Sequence, residues 1–181
     1  MPEHREAVIV GICSGHAACE SAVHGLHEGR FDLARVSVVA RDSESAKRVT
    51  DLGADTRVEH RNATPPFWAG FWRLLPRAGF LWVPGTGSLF VGGPLLTEII
   101  ASRDRRRLDR RFSAVGRGLH ALGLSRDAIG RYERAIDSNN DLIIVPGSES
   151  EVDQARTLLQ SRDAVLVARH SARNPWVLAP A

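Results

Sequence analysis

The chain begins and ends with the same strand–helix–strand grammar, and that repetition limits the folds open to it. Residues 7–13, AVIVGIC, are a short β-branched apolar run, which suits a buried strand better than a helix. Ser14 is a candidate cap for a helix reaching Glu28, along which Ala18, Cys19, Ala22, Val23 and Leu26 recur at spacings of three and four. Gly29 ends it, and residues 31–40, FDLARVSVVA, read as a second strand. Near the other terminus, residues 141–145, DLIIV, make a strand, Ser148 and Glu151 a capping box, and residues 164–168, AVLVA, a further strand after the helix. Two such units join most simply as a split βαβ sheet, ferredoxin-like, antiparallel and with its helices on one face. A doubly wound parallel sheet needs more alternation than the middle of the chain supplies.

At 181 residues the length suits one domain. It divides into a first unit at 7–42, an insert at 43–140, a second unit at 141–169 and a tail at 170–181. The fold class is therefore α+β: a ferredoxin-like βαβ + βαβ sheet with a large, mainly helical, glycine-rich apolar insertion between its halves. Within the insert, residues 43–52 suit a short helix and 56–60 a short strand. Phe67, Trp68, Phe71, Trp72, Leu74 and Leu75 form an aromatic helical set stopped by Pro76. Residues 78–97 carry no charge, but Pro84, Gly85, Gly87, Gly92, Gly93 and Pro94 break them, which excludes a plain membrane span and suggests a tight apolar hairpin between two helices. A helix from Pro94 toward Arg111 and another after Ser125 complete the insert.

Basic residues outnumber acids 24 to 21, so the pI of about 9.5 accompanies a net charge of only +3. That balance gives no reason to expect nucleic acid as a partner, since duplex binding concentrates cations on one face. Cys13 and Cys19, if both on one helix, would stand about 9 Å apart, beyond disulfide reach. The opening residues lack the apolar stretch of a signal peptide, so the expected place is the cytoplasm, at most peripheral to the inner membrane.

The opening VIVGICSGHAACESAVHGL, the strand VSVVARD, the segment WVPGTGSLFVGGPL and the run LGLSRDAIGRYERAI before DLIIVPG together resemble the bacterial general stress protein family, heat-induced and of the YflT type. The resemblance covers most of residues 7–168. It implies a framework of two small α/β ends around a glycine-rich apolar hairpin. Because the family's molecular activity is not established, the resemblance implies no catalytic residues. The arginines of the middle, Arg73, Arg77 and those after Ser102, depart from the almost uncharged middle of many members.

Four constellations carry the functional expectations. His16, Glu20, His24 and His27, with Cys19 beside them, recur one turn apart and offer donors to a transition metal ion, although a solvated helix flank explains them more simply. Trp68, Trp72, Trp82 and Phe90 suit an interface between copies of the chain or a membrane-surface belt. Arg103, Arg105, Arg106, Arg107, Arg110 and Arg111 suit an anionic partner, against the plainer reading of a solvated charged helix. The loops Gly11–Gly15 and Pro84–Ser88 match neither phosphate-binding fingerprint and read chiefly as turns. Cys13 at a helix start is better explained as core than as a nucleophile. The expected function is a non-enzymatic stress-associated protein acting through self-association or membrane-surface contact of its apolar hairpin. The alternative is a small-ligand or metal-responsive module on the first helix.

Overall fold

The computed structural model describes residues 6–41, 58–59, 74–75, 77–103, 112–162 and 164–172. Its strands are β1 (Glu6–Cys13), β2 (Ser37–Arg41), β3 (Val58–Glu59), β4 (Ala78–Val83), β5 (Gly87–Gly92), β6 (Asp141–Ser148) and β7 (Ala164–Ser171). They form one sheet in the order β3-β4-β5-β2-β6-β1-β7, antiparallel at every pairing. The helices are α1 (His16–Glu28), α2 (Pro94–Arg103), α3 (Ala114–Ala121), α4 (Arg126–Asp137) and α5 (Glu149–Gln160), with a 3-10 turn at Leu33–Arg35. The class is α+β.

The four strands of the two terminal units lie together as β2-β6-β1-β7. Their apolar residues run continuously instead of alternating because both faces of the sheet are covered. On one face Ile9, Val38, Ile143 and Val145 pack with Cys19, Val23 and Leu26 of α1 and Val152 and Leu159 of α5. On the other, Val8, Val10, Leu142 and Ile144 pack with Leu95 and Ile99 of α2, Leu119 of α3 and Ile129 of α4. Helices on one face alone, the sequence expectation, are thus corrected. The insert supplies a second helical layer, and it also adds strands β3, β4 and β5 to the sheet.

The charge-free stretch at 78–97 is a β-hairpin followed by α2, not a loop between two helices. β4 and β5 pair from Ala78↔Gly92 to Val83↔Gly87 around a turn at 84–86. Here β-branched and aromatic residues meet across strands, Phe80 and Phe90 as an edge-to-face pair with centroids 5.1 Å apart. Gly93 turns the chain from β5 into α2 at φ +86°, and a Cβ there would lie 2.1 Å from Val36 O, so only glycine fits. Ser37, fully buried, accepts from Leu95 N at 3.0 Å and so ties α2 to the start of β2.

Helix boundaries follow local chemistry. Ser113, Ser125 and Ser148 each accept a backbone N–H at the start of α3, α4 and α5, and Ser148 with Glu151 completes the expected capping box. Ser14 does not cap α1; that position falls to Gly15, with no side-chain cap. Pro146 is accommodated inside β6 because β2 pairs no further along it than Ile144, leaving one flank of the proline without a neighbour strand among the described residues. β7 runs to Ser171, into what the sequence suggests is a tail. The helix expected at 43–52 and Phe67, Trp68, Phe71 and Trp72 of the aromatic set lie outside the described residues, while Leu74 and Leu75 form a bend.

Candidate functional site

Where β1 ends and α1 begins, the sheet brings together residues that are far apart in the chain. Cys13, the last residue of β1, pairs with Asp141, the first of β6. Asp141 is only 1% exposed, and its Oδ2 lies 2.7 Å from Nδ1 of His16, the first residue of α1. The carboxylate orients the imidazole, whose ring is about one-third exposed. The other oxygen, Oδ1, is buried without a hydrogen-bond partner among the described residues. Burial pushes the Asp141 carboxyl above its ordinary range, and His16 and the backbone of Arg41 pull it partly back.

Beside this pair lies the N-terminus of α1, which has no side-chain cap among the described residues. Gly15 sits at φ 85°, which a side chain would resist, and places no capping oxygen over the first-turn amides. Beneath it lie Cys13 and Cys19, both free and fully buried. The Cys19 thiol is pushed well above its ordinary range, first by its hydrogen bond with Cys13 and then by burial. That is the opposite of an activated nucleophile. The helix-based separation of the two cysteines does not apply, because Cys13 ends a strand.

The metal set read from α1 does not converge. His16 turns to Asp141, Cys19 faces the core, and Glu20 and His24 form an exposed pair at 3.8 Å. His27 is exposed in the last turn. Among the described residues, no three His, Cys, Asp or Glu side chains are placed to hold a metal ion.

The interface residues also separate. Phe90 is buried in the hairpin and Trp82 is half-buried, while Trp68 and Trp72 lie outside the described residues. Leu81, Val83, Leu89 and Val91 are covered by the chain's own α2, α3 and α4 layer. The apolar surface assigned to the hairpin is therefore spent inside the subunit. No helix among the described residues is long and apolar enough to cross a membrane. Of the arginine run, Arg103 ends α2, and Arg105, Arg106, Arg107, Arg110 and Arg111 lie outside the described residues.

A cleft of about 120 Å³ opens between the β4–β5 turn and helices α3 and α4, with Thr86, Ser113, Glu133 and Asp137 at its rim. The Pro84–Ser88 loop forms the turn between β4 and β5 at its edge. Sequence reasoning missed Asp141 as a site residue. The signal was present as a charged residue opening a fully apolar strand, but its partner lies 125 positions away. Comparison with protein-family models, with curated proteins and with solved structures found no match for this chain.

Proposed function

We propose that the protein is a non-enzymatic binding module on a ferredoxin-like plan that takes a small hydroxyl-bearing oxyanion, such as hydrogen phosphate, at the β1–α1 turn. The strand order β2-β6-β1-β7 supports the plan, with the middle of the chain as an insertion that thickens it. The observation that carries the site is the orphaned Oδ1 of Asp141. A buried acceptor without a partner costs about 1–3 kcal/mol, and a ligand hydroxyl recovers that penalty once the β1–α1 turn opens to expose this oxygen. The first-turn amides of α1 supply the complementary half, since a helix N-terminus attracts the charged oxygens of the same ligand. His16 stands between the two with one nitrogen already fixed.

The resemblance to general stress proteins fits a binding role better than a catalytic one, because the two cysteines lack the features of reactive thiols. Association through the apolar hairpin is the weaker reading, since that hairpin is covered within the subunit. Titrating inorganic phosphate into isotope-labelled protein tests the site. The amides of Gly15, His16, Ala17 and Ala18 are expected to shift saturably, and Asp141→Ala to abolish the response. Shifts that are absent, or equal in the variant, would remove the proposal.

A further inference from the structure

We propose that Cys13 and Cys19 are a redox modification site, closed by hydrogen peroxide to a reversible disulfide that fastens the start of α1 to the end of β1. Along β1, Ala7, Ile9 and Cys13 share the face that meets α1, and Cys19 lies on the face of α1 that meets the sheet, so both cysteines enter one core cluster. Backbone bonds fold the chain back between them. Gly15 N–H donates to Cys13 O at 2.8 Å, and Cys19 N–H donates to Gly15 O at 3.3 Å, which starts the helix immediately after the strand. The two thiols are fully buried and share a hydrogen bond. Thiols in such contact lie within reach of disulfide formation, whereas the same spacing along a single helix would hold them apart.

The pair offers proximity, not activation, and that selects the chemistry. A buried cysteine on its own is inert core, but here oxidation of either sulfur finds a second sulfur beside it. The sulfur of one cysteine attacks a peroxide oxygen; the O–O bond breaks, water leaves and a sulfenic acid forms. The other sulfur attacks the sulfenic sulfur; the S–O bond breaks and a second water leaves. The two sulfurs lose two electrons, the peroxide oxygens gain them, and both thiol protons depart in the waters. Access comes through the turn. Gly15 holds φ +85° and α1 has no side-chain cap, whereas a serine holds the first turn of each of α3, α4 and α5, so α1 frays more readily at its start. The ring closed by the bond spans only residues 13–19. So short a ring restrains the unfolded chain little, which suits a bond that comes and goes better than a permanent staple. The site needs neither Asp141 nor a bound oxyanion, so it stands apart from the phosphate reading.

The test uses the full, reduced chain. Trypsin leaves both cysteines in one peptide, residues 6–30. The folded protein is treated with hydrogen peroxide, then quenched into denaturant with an alkylating reagent. The peptide is expected to be about 2 Da lighter than its reduced, unalkylated form and to carry no alkyl group, and dithiothreitol to restore both thiols. Hydrogen exchange gives a second readout: the Cys19 amide is expected to exchange about fivefold more slowly in the oxidised protein, because the bond opposes fraying of the first turn. Thiols that remain alkylatable, sulfinic acids without the loss of mass, or disulfides found only between chains would overturn the site. So would a bond that forms only in denaturant strong enough to unfold the chain, or an oxidised protein whose Cys19 amide exchanges as fast as before.

Discussion

Asp141 is the only charged side chain among the described residues that is fully buried, and its protonation is coupled to folding. Burial lifts its pKa, so the folded chain holds this proton more firmly than the unfolded chain does. The contribution is fully present below the unfolded value near 3.8 and is lost as pH rises through the folded value. Unfolding measured across that range is expected to show the loss in the native protein, and Asp141→Asn to flatten it. Asp141→Ala, which also strands His16 Nδ1, is expected to cost about 1–3 kcal/mol in urea denaturation. Little of this site is legible in the sequence. His16 belongs by spacing to a row of donors on one helix, whereas its decisive contact is a strand residue brought near only by the β1–β6 register.

At the scale of elements, one polar contact among the described residues joins β7 to α4. Tyr132 Oη lies 2.5 Å from His170 Nε2, with the rings at 83°. Burial, reinforced by Arg131, holds His170 below its ordinary range, which favours the neutral ring in its hydrogen bond with the phenol. The His170 contribution is present above 6.5 and is lost as pH falls through its folded value. Tyr132 is pushed up to about 12 by burial, against the pull of Arg131; its contribution is present below 10 and is lost as pH rises from there toward 12. Tyr132→Phe is expected to cost about 1 kcal/mol at neutral pH and to erase the alkaline loss, both readable by chemical denaturation. Gly93→Ala is expected to cost at least about 2 kcal/mol, because it combines positive φ with a collision against Val36 O. The starts of α4 and α5 were legible from Ser125 and Ser148, which accept the amide three residues on, whereas Ser14 does not cap α1 and Ser113 was not read as a cap. The hairpin was not, because its prolines and glycines mark a break without saying whether strands or helices flank it, and its register depends on β2 beside it.

For the molecule as a whole, one sheet serves two helical layers, and β6 shows how closely they are joined. Neighbouring residues Ile143 and Ile144 point into opposite cores. Replacing either by alanine is expected to cost about 2–5 kcal/mol and to lower one common unfolding transition, seen alike by circular dichroism and by hydrogen exchange in α1 and α4. Separate transitions for the two layers would contradict this coupling. The α+β class and the paired ends were readable because each unit carries its own periodicity, and the second its capping box as well. The second covered face was not, since an apolar strand looks the same whether its far side meets water-excluding helices or its own kind. The middle of the chain is therefore no ornament that can be trimmed away. A shortened protein made by splicing residue 41 to residue 141 would keep its sheet order and lose the roof over Val8, Val10, Leu142 and Ile144, leaving a greasy plane that invites aggregation before any ligand could be tried.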